Sequence, residues 1–347
     1  MQKRIREYGI NVGRLKPGPL NKISDVKGVT VGHSTLKEGP IQTGVTAILP
    51  HQGNLFKEKI LGASYVINGF GKTIGTIQLG ELGTIETPIL LTNTLSVGIA
   101  SDSLIKYMLK QNEEIGNSTG TVNPIVGECN DMYLNDIRQM VIREQHVLEA
   151  LHNTEVDFAE GAIGAGAGMK CFDLKGGIGS SSRIFTINEE SYTVGVLVLS
   201  NFGALEQFRL NGEPIGSQIK EQIQQKATKE QGSIMIIVAT DLPINERQLK
   251  RLSKRAGAGL SRTGSFFGNG SGDIVISFST AQKIPHIFEK AERLHTLQMI
   301  HDDQIDIAFE AVTDATEEAI YNSMVTARTT IGRENRKLYS LAEFLSG

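Results

Sequence analysis

The chain has 347 residues and a formal net charge of -3, long enough to bury one large core or two modest ones. Its 35 basic and 38 acidic side chains are mixed along the sequence, which excludes the basic stripe of a nucleic-acid binder and the cationic face of a binder of anionic membranes. The apolar runs at 194–199 and 234–239 have the length of strands, far below the roughly 20 residues of a membrane span.

The basic start, Met1 to Glu7, has no apolar stretch behind it, so no secretion signal is expected. Cys129 and Cys171 are the only cysteines. Two make no zinc site alone, and a lone disulfide is not expected in a cytosolic chain.

Taken in order, residues 21–50 alternate with Val and Thr and predict short strands and turns. His33, in that β context, is expected to bond to backbone rather than act as a base. Residues 63–70 (ASYVINGF) and 88–94 (PILLTNT) continue as strand. Apolar residues near helical spacing predict helices over about 97–111 and 134–151. Residues 160–169 and 175–179 read as glycine-punctuated strand, followed by strands in 182–187 and 192–203. Beyond them the pattern predicts a helix at 245–260, a strand at 273–279 and late helices at 284–298 and 314–328. No linker or internal repeat divides the chain. A layered α+β sandwich, residues 1–347 as one domain, fits this order.

Asn211 to Gln231 is polar, without a usable apolar face, and reads as an exposed, loosely held connection. It runs into Gly232 and Ser233, and then into the wholly apolar Ile234–Ala239, which is expected to be buried on both faces. A solvated tail, a glycine, a serine and a core strand form the arrangement expected where a chain cuts itself and leaves the serine as a new N-terminus.

Other motifs carry less. The glycines at 164–168 and 69–75 lack the dinucleotide spacing and read as tight turns. Gly116-Asn117-Ser118-Thr119-Gly120 matches a nucleophile elbow in letters, but a helix precedes it where a strand is needed. No histidine pair has metalloprotease spacing, and the acids of 301–306 read as solvated surface. Ser271 and Asp273 stand two apart at the entrance of a strand, on one face, either as part of a plain turn or as a pair that assists a nucleophile. A serine hydroxyl needs a base. Two routes are open: the freed α-amine, with an ordinary pKa of about 7.7–8, or a hydroxyl relay through Ser271 held by Asp273.

At these residues the chain resembles the DmpA-type family, the L-aminopeptidase/D-esterase-amidases and β-peptidyl aminopeptidases. The motifs that carry the resemblance are Thr43–Thr46, Asn68–Gly71, Leu91–Thr94, Gly127–Asp131 with Leu134–Asp136, Lys175–Gly179, Gly232-Ser233, Ala239–Asp241, Asn269–Asp273 and Ala315–Ile320 with Asn322-Ser323. They span about residues 20 to 330. The resemblance implies a four-layer αββα sandwich, like the N-terminal nucleophile hydrolases in layout but wired differently. It implies self-cleavage into 1–232 and 233–347 and a cytoplasmic homo-oligomer, a tetramer or larger, that needs no metal or cofactor.

Position by position, the resemblance makes Ser233 the nucleophile and Ser271 and Asp273 its hydroxyl–carboxylate pair. Some members of the family have glutamate at the last of these places. Asn201 matches the oxyanion-hole amide, Glu128 the carboxylate that holds the substrate's ammonium, and Tyr133 a tyrosine of the site. The activity implied is that of a self-processing serine aminopeptidase, amidase and esterase acting on short peptides, amides or esters with a free amine. Two rivals stand beside it. One is an acyltransferase resembling the ornithine acetyltransferases, which use threonine where this chain has serine; the other is an uncleaved, non-enzymatic binding protein on the same scaffold.

Overall fold

The computed structural model describes residues 3–223, 232–286 and 294–345. Two six-stranded sheets lie face to face. The first contains β1 (Thr30–Glu38), β2 (Ile41–Leu49), β4 (Thr73–Ile74), β6 (Ile89–Asn93), β7 (Ile125–Cys129) and β8 (Thr154–Glu155), in the order β4-β7-β6-β2-β1-β8. The second contains β3 (Glu58–Gly69), β5 (Thr84–Ile85), β11 (Gly177–Ile187), β12 (Glu190–Asn201), β13 (Gly232–Thr240) and β14 (Ser271–Pro285), in the order β11-β12-β13-β14-β3-β5. A short ribbon of β9 (Lys170–Cys171) and β10 (Leu174–Lys175) precedes β11.

Helices α2 (Val97–Gln111) and α3 (Glu144–His152) cover the outer face of the first sheet. Helices α5 (Glu246–Arg262) and α6 (Asp306–Val325) cover the second. The layers are α, β, β, α, the four-layer α+β sandwich expected above.

Strand β13 shows why both sheet faces must be covered. Ile234, Ile236 and Val238 point into the core under α5 and α6, and Met235, Ile237 and Ala239 point into the core between the sheets. All six are fully buried, and each large side chain contributes about 1.5–3 kcal/mol. The continuous apolar run expected of a strand buried on both sides is what the structure contains.

Several sequence expectations need correction. Residues 134–143 are not α-helix and hold only a 3₁₀ turn at Ile137–Gln139: Asn135 accepts a hydrogen bond from the Gln42 N–H and donates to the Asp131 carboxylate, and Met140 sits at a positive φ of 46°. These local side-chain bonds win over helical spacing, and only Glu144–His152 winds into α3. Residues 160–169 are not strand. The run is broken by Gly164 at φ +53° and passes through a 3₁₀ turn packed between β1, β2 and β11. The helix expected at 284–298 is absent from the described part, because β14 runs on to Pro285 and 294–300 is irregular; residues 287–293 lie outside the described residues. Helix α6 begins eight residues before the expected start. The stretch 211–231 does carry a narrow apolar face. Ile215, just before α4 (Gly216–Ile223), and Ile219 and Ile223 within it, four residues apart, pack on the core, while 224–231 lie outside the described residues.

His33 bonds to the Ala159 carbonyl and the Thr46 hydroxyl, and burial pushes its pKa down to about 4, so it is neutral and structural. Cys129 and Cys171 are both free and buried.

One buried ion cluster ties the N-terminal segment to α6. Glu318 accepts from Arg183 at 2.7 Å, from Arg6 through two bonds at 2.7 and 2.8 Å, and from Asn21 at 2.5 Å. Burial raises the pKa of Glu318, but the bonds from Arg6 and the charge of Arg183 outweigh it, and the net shift is downward. A depressed carboxylate pKa stabilises the fold above the unfolded-state value and loses that contribution as pH falls through the folded value. Glu318→Ala, which strands the Arg183 charge, is expected to cost about 3–5 kcal/mol in chemical unfolding at neutral pH. The gap between it and wild type should narrow only at acid pH.

Candidate active site

The site lies where β12, β13 and β14 meet at one end of the second sheet. Antiparallel pairing sets Asn201, the last residue of β12, directly across from Ser233. Parallel pairing sets Gly272 beside Ser233 and Ser271 beside Gly232 on the other flank. A parallel pair needs a crossover, here through α5, and it brings the N-terminal ends of both strands to the same edge. The turn before β14 is held by Asn68, whose side chain donates to the carbonyls of Gly268 and Ser271.

The nucleophile candidate is held by the neighbouring strand. Ser233 Oγ accepts a 3.3 Å hydrogen bond from the Gly272 N–H. The Ser271 hydroxyl is turned to the buried Asp273, donating at 2.6 Å. The two-residue spacing that places both side chains on one face is thus realised. Gly232 sits at φ +139°, where a Cβ would lie 1.9 Å from the Asn201 carbonyl oxygen. No side chain fits there.

The Asn201 amide is oriented by its partners. Its Oδ1 accepts from the Lys170 N–H at 2.8 Å, and its Nδ2 donates to the Asn130 carbonyl at 2.9 Å. The flipped amide would face donor with donor and acceptor with acceptor, so the assignment is forced. An amide nitrogen has two N–H groups, and the Asn130 carbonyl takes one.

A cleft of about 360 Å³ opens over Ser233. Asn201, Gly232, Glu128 and Tyr133 line it together with Ser233, while Ser271 and Asp273 stand behind its wall. Glu128, at the end of β7, is buried and fixed: Oε1 accepts from the Lys72 N–H at 2.8 Å, and Oε2 from the Thr94 hydroxyl. The Tyr133 ring has the Lys170 ammonium and the Arg336 guanidinium each 5.4 Å from its centroid. Lys170 is neutralised by Asp173 at 2.7 Å. Burial, with the Glu128 charge next to it, pushes the Cys129 thiol well up, so it is no rival nucleophile.

Every site residue expected from the sequence therefore falls in or directly behind one cleft. Phe70, Lys72, Thr94, Asn130, Met132 and Lys170 also line it, and the sequence reading assigned them no role. Phe70, Thr94 and Asn130 belong to the quoted motifs, which was the available signal. Lys72, Met132 and Lys170 left none. Among the described residues, no group of three or more His, Cys, Asp or Glu is placed to hold a metal ion, and no helix is long and apolar enough to cross a membrane.

A profile of Peptidase family S58 matches residues 21–338. The chain belongs to peptidase family S58. The beta-peptidyl aminopeptidase BapA of Sphingosinicella microcystinivorans is 36% identical over 352 residues, covering 95% of this chain and 87% of the relative. A solved protein of Pyrococcus horikoshii OT3 is 50% identical, with a TM-score of 0.94 over 99% of this chain and 98% of that one. The L-aminopeptidase D-Ala-esterase/amidase of Ochrobactrum anthropi, a variant of the N-terminal nucleophile hydrolase fold, is 32% identical, with a TM-score of 0.90 over 97% and 95%. This S58 chain is a serine-type hydrolase acting on peptide bonds, with aminopeptidase and amidase function. The non-enzymatic reading of the scaffold is set aside.

Gly232→Ala is expected to force β13 away from Asn201 and displace Ser233. A shift of about 1 Å at a reacting atom can cost about 10²-fold in rate, so turnover of an amino-acid p-nitroanilide should fall by that order. A variant with full kcat/KM would show that the close approach at Gly232 is dispensable.

Proposed function

We propose that Ser233 is the nucleophile of a self-processing aminopeptidase and that the chain is cut between Gly232 and Ser233. The observation that carries the reading is the row Asn201–Ser233–Gly272 across three strands, with Glu128 in the same cleft. In processing, Ser233 Oγ attacks the Gly232 carbonyl carbon and the peptide becomes an ester, releasing the Ser233 amine. Water then hydrolyses the ester, leaving a Gly232 carboxylate and pieces 1–232 and 233–347.

In turnover, the same oxygen attacks the carbonyl carbon of the substrate's first residue. Its proton passes to the freed α-amine or to the Ser271–Asp273 pair. The developing oxyanion is met by the second N–H of Asn201, a contribution of roughly 3 kcal/mol in comparable sites. The leaving amine takes a proton, and water releases the acyl group. Glu128, fixed by Lys72 and Thr94, receives the substrate's ammonium, which confines cleavage to the amino end. Tyr133 shapes the same pocket. A cleft of this size suits short peptides, amides and esters, and β-peptides, the class in BapA's name beta-peptidyl aminopeptidase, among them. A cytoplasmic homo-oligomer, a tetramer or larger, without metal or cofactor, completes the reading.

Intact mass spectrometry of the purified protein should give two pieces, ending at Gly232 and beginning at Ser233. Ser233→Ala should give one uncut chain without turnover; processing or turnover in that variant would refute the assignment. Asn201→Ala should lower kcat by about 10²–10³-fold. If the freed amine is the base, kcat/KM should rise with pH and level off above about pH 8, because only the neutral amine accepts a proton. A flat profile from pH 6 to 9 would leave the proton to the Ser271–Asp273 pair.

A further inference from the structure

Lys175 belongs to a motif that the catalytic reading leaves without a role. Its side chain is fully buried, in a molecule where buried lysines are normally paired with a carboxylate or excluded. Burial pushes its pKa well down, and three bonds to carbonyls, which only an ammonium can donate, favour the charged form against it. Its Nζ instead donates to three backbone carbonyls: Gly166 at 2.9 Å, Met169 at 2.9 Å and Gly176 at 2.6 Å. An ammonium has three N–H groups and no acceptor, so these three carbonyls use all of them.

One of these bonds points at the active site. The Met169 carbonyl belongs to the same peptide group as the Lys170 N–H, and that N–H donates to Asn201 Oδ1 at 2.8 Å. A peptide group is planar. Fixing its oxygen therefore fixes the direction of its N–H, and a cation on the oxygen makes the N–H a stronger donor. The Gly176 N–H also donates to the Met169 carbonyl, at 3.0 Å. The other end of the Asn201 amide is anchored in a comparable way. Nδ2 donates to the Asn130 carbonyl, and the next residue, Asp131, is a buried carboxylate tied by Thr43 at 2.6 Å and Asn135 at 2.9 Å. Lys175 and Asp131 also act on each other electrostatically.

We propose that Lys175 is a positioning residue for the oxyanion-binding amide, holding and polarising the Met169–Lys170 peptide so that Asn201 presents its second N–H above Ser233, with Asp131 anchoring the opposite end. This rests on Asn201 acting as the oxyanion donor. Lys175 never touches substrate; it acts through one peptide group. An uncharged residue of similar length takes the ammonium from all three carbonyls; the Met169 carbonyl keeps only the bond from the Gly176 N–H and the Gly166 carbonyl that from the Met169 N–H, so the peptide plane is held less firmly. Asn201 then loses its fixed acceptor geometry while the ammonium pocket at Glu128 is untouched.

The test is a double-mutant cycle between Lys175→Met and Asn201→Ala, measured on an amino-acid p-nitroanilide after mass spectrometry has established processing. K175M should lower kcat about 10- to 100-fold, with KM within about twofold. In the N201A background the same substitution should cost less than about twofold further, because the group it positions is gone. Undiminished kcat in K175M overturns the proposal, and so does an equal cost of K175M in both backgrounds, which marks a general structural role. Full kcat in N201A would instead sink the oxyanion assignment itself. Should K175M not fold, Asp131→Asn, which keeps the side chain's shape, carries the same cycle from the other anchor.

Discussion

The site depends on the parallel pairing of β13 with β14. Strands that run the same way begin at the same edge, so the first residues of both, Gly232-Ser233 and Ser271-Gly272, are neighbours by register rather than by loop conformation. Antiparallel β12 ends at that edge and supplies Asn201. The facing sheet has its own parallel pair, β6 and β7, joined through α2, and the C-terminal ends of these strands deliver Thr94 and Glu128 to the same cleft. Each crossover covers the outer face of its own sheet, so the connections that create the site also bury the outer cores. Sites built on strand ends in this way inherit the rigidity of the sheet.

Two buried polar clusters do different work. Arg183 and Glu318, with Arg6 and Asn21, hold the N-terminal segment against α6, away from the chemistry. Replacing such a cluster by well-packed apolar residues is often neutral, whereas removing one partner is costly. Lys175 and Asp131 sit behind the row proposed to be catalytic. Burial pushes the Asp131 carboxyl up to about 7 against the hydrogen bonds of Thr43 and Asn135. Water is replaced there by backbone carbonyls, a hydroxyl and an amide, each with a fixed direction. Such a setting suits a group whose purpose is orientation.

Much of this was legible in the sequence, for physical reasons that differ by element. The run 234–239 could only be a strand buried on both faces, and the helices at 97–111 and 245–260 announced themselves by periodicity. Ser271 and Asp273 followed from the two-residue repeat of a strand. What periodicity could not supply was the contest between local pattern and tertiary bonds. Residues 134–143 carry helical spacing, yet Asn135 and Asp131 bind β2 instead. Ile215, Ile219 and Ile223 are spaced for a helix but dispersed among polar residues, so the face was overlooked. Lys175 lies beside two glycines in a motif, and nothing in one dimension shows that its ammonium reaches three carbonyls. Asn201 and Glu128 came from the resemblance alone; a strand-end amide and a turn carboxylate carry no periodic signal.

In the mechanism proposed, a single hydroxyl, Ser233 Oγ, forms the acyl-enzyme. An amine-bearing sulfonyl fluoride or β-lactone, which forms a stable ester with the attacking oxygen, tests it most directly when the modified residue is located by peptide mass spectrometry. One label per active site is expected, on the N-terminal residue of the 233–347 piece, with activity lost in proportion to labelling. A label on Ser271 or elsewhere accompanied by the same loss of activity, or full activity with Ser233 completely labelled, would contradict it.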